Sequence, residues 1–417
     1  MSDDLLIHDW NLAADAEIPS GRMVMLNDET LRDGLQNPSV HDPSIGEKIE
    51  ILHLMEALGI DTVNIGLPGA GPRAFADTEA LAREIQTARM KIRPNCAART
   101  HKNDIRPIAE ISQRVGMAIE AATFLGSSPI RRLVEDWSVE HLVRTTEEAV
   151  RFAVSEGLPV MYVTEDTMRT DPATVKKLYT TAVECGARSL VFCDTVGHAT
   201  PRGAFNLIHF AIEEIVKPSG EKLRVDWHGH NDRGLAVANS LAAVAAGANQ
   251  VHAAGMSLGE RVGNTAMELM LVNLRLMGAI DRDLTRLKEY SETIARATHT
   301  VIPPNYPVVG RDAFRTATGV HAAAIVKALR RNDANLANLI YSGVPAQLFG
   351  MEQTIEVGPL SGRSNVIYWL ESRGLVASDE LVDRIFKAAK ESQRVMSDAE
   401  LHALVDASGA ATSPAPR

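Results

Sequence analysis

Two histidines, His228 and His230, sit two residues apart in the segment Asp226-Trp227-His228-Gly229-His230-Asn231-Asp232. They follow a strand-like run from Leu223 to Trp227. Residues i and i+2 of a strand share a face. Both imidazoles can therefore aim at one point, the geometry a divalent metal needs. The spacing alone leaves open a second reading, a pair of strand histidines satisfied by hydrogen bonds. The setting favours the metal: a strand end, then Asn-Asp-Arg-Gly, then a helix-like run from Leu235 to Ala246.

The elements that must hold such a site alternate along the chain. Strand-like runs are Met23–Asn27, Thr62–Gly66, Met90–Ala97, Met117–Ala122, Pro159–Thr164, Ser189–Cys193, Arg224–His228 and Gln250–Ala253. Amphipathic stretches between them repeat every 3.6 residues, as at Ile45, Ile49, Leu52 and Met55. Gly59, Gly116, Gly157, Gly186 and Gly247 each follow such a stretch, where a left-handed helix cap would sit. Eight β-then-α units over about 250 residues predict a (β/α)8 TIM barrel, assigned to residues 23–280 after an N-terminal segment, 1–22. A doubly wound sheet would need a glycine-rich turn after the first strand, and Asn27-Asp28-Glu29-Thr30 is not one.

Beyond residue 280 the rhythm changes. Thr285–Thr298 reads as a helix, Pro303-Pro304-Asn305-Tyr306-Pro307 as a stiff connection, and Gly319–Leu329 and Asp379–Ser392 as helices. A smaller, mainly helical C-terminal region, 281–405, is expected to cover the active site, with a disordered tail at 406–417.

Composition sets outer bounds. The chain has 417 residues, 45% hydrophobic and 23% charged, the balance of a globular protein. A net charge of −10 argues against a nucleic-acid partner. Cys96, Cys185 and Cys193 form no C-x-x-C pair, so they are expected to be buried reduced thiols rather than a zinc knuckle or disulfide framework. The acidic start Met-Ser-Asp-Asp is unlike a signal peptide, and no apolar run reaches the ~20 residues of a membrane span. A cytoplasmic protein with no membrane partner is expected.

In a TIM barrel the reacting groups lie at the C-terminal strand ends and in the loops after them. Those places hold Asp28, Glu29, Arg32, Asp33 and Gln36 after strand 1, and Arg99 and His101 after strand 3. They hold Glu165 and Asp166 after strand 5, and Asp194, Thr195 and His198 after strand 6. His228 and His230 come from strand 7, and Glu260, Arg261 and Asn264 follow strand 8. Any one of these could be a cap or a solvated loop residue; Asp194-Thr195 could simply cap a turn. Together, a carboxylate, two imidazoles and a site open to water suit a divalent metal that binds a chelating substrate.

Four motifs carry a family resemblance: Leu31-Arg32-Asp33-Gly34-Leu35-Gln36, Asp194-Thr195-Val196-Gly197, His228-Gly229-His230-Asn231-Asp232 and Gly259-Glu260-Arg261-Val262-Gly263-Asn264-Thr265. With Gly319-Val320-His321 and Ser361-Gly362-Arg363, the set resembles the 2-isopropylmalate synthase and homocitrate synthase family over residues 23–370. The resemblance implies that Asp33, His228 and His230 bind a divalent metal (Mg, Mn, Zn or Co), with Asn264 in or near its shell. It implies a Claisen-type condensation of acetyl-CoA with a 2-oxo acid, whose carboxylate Thr195 would hold. Arg32 would stabilise the oxyanion, and His321, helped by Glu165 and Tyr341, would handle the proton of the acyl-CoA methyl group. His321 would reach the barrel of a partner subunit, so a homodimer is expected.

The string Asp33-Gly34-Leu35-Gln36-Asn37 also resembles hydroxymethylglutaryl-CoA lyase, the alternative reading. That lyase carries a cysteine in its glycine-rich loop after strand 8. Here the loop is Gly255-Met256-Ser257-Leu258-Gly259-Glu260-Arg261. A non-catalytic metal-binding scaffold is a further alternative. Only about 55 residues follow Ser361-Gly362-Arg363, so no amino-acid feedback domain, and no feedback inhibition of that kind, is expected. Asn64, Leu67, Arg99, His101 and the loop Gly126–Arg132 are expected to wall the substrate pocket, and Gln36 to bind substrate. Arg131, or Arg132 beside it, falls where homocitrate synthases read a distal carboxylate, implying a 2-oxo acid with a second anionic group. Asn264-Thr265 instead resembles the isopropylmalate and citramalate branch.

Overall fold

Eight short strands pair in parallel and close on themselves: β1 (Met25–Asp28), β2 (Thr62–Asn64), β3 (Arg93–Arg99), β4 (Glu120–Gly126), β5 (Val160–Glu165), β6 (Ser189–Asp194), β7 (Arg224–Gly229) and β8 (Gln250–Ala253). The ring shuts where Met25 of β1 faces Gln250 of β8 and Asp28 faces Ala253. The expected (β/α)8 barrel is therefore present. This computed structural model describes Asn11, residues 23–331 and residues 333–407. The expected N-terminal segment 1–22, Asn11 apart, and the tail beyond Ala407 lie outside the described residues.

Helices α1 (Ile45–Ala57), α2 (Pro72–Thr87), α3 (Lys102–Val115), α4 (Pro129–Glu135), α5 (Val139–Ser155), α6 (Pro172–Glu184), α7 (Pro201–Ala211), α8 (Lys217–Ser219), α9 (Ala236–Ala246), α10 (Met267–Leu276) and α11 (Leu287–Ala297) connect and follow the strands. Their starts are chemically marked. Ser44, Ser128, Ser138, Asp171 and Thr200 each accept the backbone N–H three residues on, satisfying donors that the helix itself leaves free. The five glycines expected to end helices all have positive φ, from 69° to 126°.

Two strands sit further along the chain than expected. Met117 N donates to Ser112 O, so it still belongs to the cap of α3, and β4 begins only at Glu120. Met90 N likewise donates to Ile85 O after a left-handed Arg89, which delays β3 to Arg93. The segment Gly126–Arg132, expected as a loop, contains the start of α4.

The barrel floor is polar. Asn27 Oδ1 accepts from Thr62 Oγ1 and Asn95 Nδ2, both at 2.6 Å, and Gln250 Nε2 donates to Thr62 Oγ1 at 2.8 Å. This knits β1, β2, β3 and β8 together through buried side-chain hydrogen bonds, although Asn95 Oδ1 and Gln250 Oε1 find no partner among the described residues. The other half of the lumen is apolar: Ala122, Met161, Val191 and Cys193 form a buried cluster.

The chain divides into two units, Met1–Asp283 with Glu289–Val301, and Leu284–Lys288 with Ile302–Arg417. The expected boundary was 280; this division instead runs through residues 283–302. Most of α11 belongs with the barrel, where Tyr290 donates from its hydroxyl to Asp28 Oδ2 at 2.6 Å. The second unit is mainly helical: α12 (Gly319–Leu329), α13 (Ala334–Leu339), α14 (Arg363–Glu371), α15 (Asp379–Glu391) and α16 (Asp398–Asp406), with β9 (Arg315–Thr316) parallel to β10 (Thr354–Ile355). Trp369, Leu370, Leu381, Ile385 and Leu401 form its larger core. No helix among the described residues is long and apolar enough to cross a membrane.

Candidate active site

The C-terminal strand ends surround a cavity of about 320 Å³. Arg32, Asp33 and Gln36 line it from the turn after β1, Glu165 from β5, Thr195 from the turn after β6, and His228 and His230 from β7. Seven of the expected site residues thus meet in one cavity, beside Glu260 and Arg261.

His228 Nε2 lies 3.3 Å from His230 Nε2 and 3.5 Å from Asp33 Oδ2, and His230 Nε2 is 3.9 Å from the same oxygen. Donor atoms around one ion with bonds near 2.1 Å are spaced roughly 3.0–3.4 Å apart, so the three atoms need only a slight contraction to share a cation. Asp33 Oδ1 and Asn264 Oδ1 are buried with no hydrogen-bond partner among the described residues. Buried acceptors without a donor are costly unless something else satisfies them, and a cation does so. Burial pushes His228 down to about 3 and also lowers His230, so both rings present neutral lone pairs at pH 7. Burial acts against the Asp33 carboxylate, but Arg32, His228 and His230 outweigh it and hold the group below the usual carboxylate range. The donor set fits a divalent metal.

The loop after β8 is folded tightly to bring Asn264 here. Residues His230 and Asn264 form a backbone bridge, Thr265 N donates to Gly229 O at 2.9 Å, and Asn231 N donates to Gly263 O at 2.9 Å. At Gly263, with φ 88°, a Cβ would fall 1.6 Å from Ser257 O, so only glycine allows this path.

Around the ligands, Arg32 Nη2 donates to Glu29 Oε2 at 2.6 Å, and Nη1 lies 3.4 Å from Asp33 Oδ2. Thr195 Oγ1 accepts from Asp166 N at 2.8 Å, which leaves its O–H free to donate to a ligand. Asp194 serves the fold: its two oxygens accept from His198 N and Ala199 N at 2.7 and 3.0 Å. Burial raises the Glu165 carboxyl, opposed by Arg131 and Arg32. Arg261 ties three loops together, donating to Asp232 and to Thr195 O.

Other expected residues stand apart from the cavity lining. Arg99 is paired with Asp104 at 2.7 Å and is 71% exposed. His101 caps α3, accepting from Asn103 N at 3.2 Å. Arg131 pairs with Glu135 at 3.0 Å, half exposed, and lies over the Trp137 ring. Arg132 faces Asp171 at 3.5 Å. Of the expected wall residues Asn64 lines the cavity and Leu67 is not in its lining; most of the rest of the wall is apolar, made by Ala97, Ala122, Phe124, Met161, Val163 and Val191.

Glu29, one of the polar groups expected after strand 1, and His252, which the sequence reading leaves out, are both buried and line the same cavity. His252 lies opposite His228 in the β7–β8 register, so the period-two rule applied to β8 finds it. Within the second unit, His321 opens α12 and stacks on Tyr341.

Residues 23–294 match the HMGL-like family. A probable 2-isopropylmalate synthase of Methanopyrus kandleri is 33% identical over 372 residues, 88% of this chain and 69% of that protein. A homocitrate synthase of the same organism is 33% identical over 371 residues, 88% of this chain and 87% of that protein. The chain belongs to the HMGL-like family, on the 2-isopropylmalate and homocitrate synthase branch. The HMG-CoA lyase of Brucella melitensis shares the fold, with a TM-score of 0.56 at 17% identity over 67% of this chain and 100% of that one. Family membership agrees with the metal-type cluster, which joins the Arg32-Asp33 and His228-x-His230 motifs in space.

Proposed function

We propose that this protein is a divalent-metal-dependent acyltransferase that condenses acetyl-CoA with a 2-oxo acid and hydrolyses the thioester to give a 2-alkylmalate-type product. The observation that carries this reading is the Asp33–His228–His230 cluster set beside Arg32, Glu165 and Thr195 in one cavity, in a chain of the synthase branch. Asp33, His228 and His230 hold the metal, with Asn264 in or near its shell. Imidazole and oxygen donors suit Mg, Mn, Zn or Co. An ion held there would supply Lewis-acid polarisation of the keto group of a 2-oxo acid.

The chain's own groups do the rest. The Thr195 hydroxyl holds the substrate carboxylate. A thioester methyl is a weak acid, so its proton needs a placed acceptor; this is His321, assisted by Glu165 and Tyr341. The enolate carbon then attacks the 2-oxo carbon, the C–C bond forms, and the carbonyl electron pair moves onto oxygen beside Arg32. That oxygen takes up a proton, and water cleaves the thioester to release CoA. His321 comes from a partner subunit in this reading, which makes the enzyme a homodimer.

The apolar wall supports a 2-oxo acid with an apolar side chain. Arg131, which a second anionic group would engage, is paired with Glu135 outside the lining. The test is mass spectrometry of the product from acetyl-CoA and each 2-oxo acid in the presence of metal. A mass equal to the 2-oxo acid plus an acetic acid unit supports condensation. Cleavage of a hydroxyacyl-CoA without condensation in the forward direction supports the lyase reading.

A further inference from the structure

Below Arg32 the barrel holds a line of charged groups that the reaction above does not use. Arg224 Nε donates to Asp226 Oδ1 at 2.9 Å, and Asp226 Oδ2 lies 3.3 Å from His252 Nε2. His252 Nδ1 lies 3.1 Å from Glu29 Oε1, which also accepts from Asn27 Nδ2 at 2.7 Å. Glu29 Oε2 then takes Arg32 Nη2 at 2.6 Å. The line runs from the floor of the barrel to the cavity, and Asp226, His252 and Glu29 are buried throughout.

The cluster Glu29, His228 and His252 also has ligand atoms within 4.8 Å of one another, a spacing that could serve a second cation. Its hydrogen bonds point elsewhere. Both nitrogens of His252 face carboxylate oxygens, and a ring that donates from both has no lone pair for a metal. Both oxygens of Glu29 already have partners. What the line does reach is Arg32. An arginine side chain has many rotamers, and a carboxylate held from behind selects one of them.

We propose that Glu29 and His252 are positioning residues that fix the Arg32 guanidinium at the cavity, His252 holding Glu29 in place against Asp226. The inference rests on the reading that Arg32 stabilises the oxyanion of the condensation. In that role a small displacement of the guanidinium lowers the rate of the chemical step more than the binding of substrate.

The test uses the full-length metal-loaded protein with Glu29→Gln, Glu29→Asp and His252→Gln. Steady-state kinetics, bound metal, thermal unfolding and crystal structures are compared with the unsubstituted chain. Glu29→Gln is expected to lower kcat about 30- to 100-fold and His252→Gln about 10-fold, with KM for the 2-oxo acid moving less than about 3-fold. The double variant should be no worse than Glu29→Gln alone, because both act through one arginine. Glu29→Asp keeps the charge but draws it back by one methylene; a folded Glu29→Asp protein with full kcat would overturn the inference. So would a loss of bound metal on substituting His252, which would make it a ligand. If the unsubstituted chain condenses nothing, the functional reading fails by itself. The crystal structures then decide: Arg32 displaced in Glu29→Gln upholds the positioning role, and Arg32 unmoved contradicts it.

Discussion

The imidazole of His321 stacks on the phenol of Tyr341, with ring centroids 4.1 Å apart and 27° between the planes. The two residues are twenty positions apart and on different elements. His321 lies in the first turn of α12, and Tyr341 follows α13. Both are exposed, Tyr341 at 50%, so little of the core depends on either. In the proposed reaction His321 is the proton acceptor, and this stacking sets the plane of its imidazole.

His321→Ala should therefore lower kcat by about 100-fold or more, with a thermal midpoint within about 2 °C of the unsubstituted chain. Tyr341→Phe keeps the stacking face and should cost less than about 5-fold, and Tyr341→Ala more than that. Equal kinetics for His321→Ala and the unsubstituted chain would remove His321 from the reaction.

The helix bearing His321 depends on a close backbone approach. Gly319 N donates to Leu360 O at 3.0 Å, and Ser361 Oγ donates to Ala317 O at 2.8 Å. A Cβ at Gly319 would meet Gly362 N at 2.5 Å. That neighbour is backbone and cannot step aside, so Gly319→Ala should destabilise the second unit by about 1–3 kcal/mol. Chemical denaturation followed by tryptophan fluorescence in a Trp10→Phe, Trp137→Phe, Trp227→Phe background, which leaves Trp369 in the core of this unit, reads the effect. The Gly-Val-His and Ser-Gly-Arg motifs are thus two halves of one contact.

Removing the metal should abolish turnover. Dialysis against a chelator is expected to lower activity by at least about 100-fold, and Mg, Mn, Zn or Co should restore it. Asp33→Ala and His230→Ala should reduce bound metal measured by elemental analysis and resist restoration. Full activity in the metal-free protein would contradict the assignment of these ligands.

The buried His252 makes stability pH-dependent. Burial alone would lower its pKa, but Asp226 and Glu29 outweigh this and raise it from 6.5 to about 9. The folded chain thus holds this proton more tightly than the unfolded chain does. The resulting stabilisation is fully present below about pH 6.5 and is lost as pH rises through about 9. Urea unfolding of metal-free protein across that window should show a decline of at most about 3 kcal/mol from this group, smaller in His252→Gln. An equal decline in both proteins would show that another group is responsible.

Arg131→Ala tests the side chain of the substrate. Because Arg131 is engaged by Glu135 outside the cavity lining, its removal should change KM for an apolar 2-oxo acid by less than about 2-fold. A much larger rise in KM for a dianionic acid, with that acid the better substrate, would restore the expectation of a second anionic group.

Strand order and most helices were legible because the 2.0 and 3.6 periods and the glycine caps agree along the barrel. The short helix α4 was hidden. It exposes Ile130, Leu133 and Val134, at 56%, 83% and 75%, so it shows no apolar stripe. Ser128 before Pro129 was its legible start signal. In the site, Asp33, His228 and His230 could be read from motif and spacing. Glu29 was legible only as one of several polar groups after strand 1, and His252 only from the period of β8; that the two meet depends on which strands become neighbours. Arg99 ends β3, but Arg131, expected in a loop, lies in α4, and the sequence does not say that Asp104 and Glu135 stand ready to pair with them.

The most direct test of the central claim is release of free CoA thiol from acetyl-CoA, with a divalent metal, across pyruvate, 2-oxoisovalerate, oxaloacetate, 2-oxoglutarate and phosphonopyruvate. The account predicts metal-dependent thiol release with an apolar acid of this set, lost in Asp33→Ala. Metal-loaded, folded protein that releases no thiol with any of the five would contradict it.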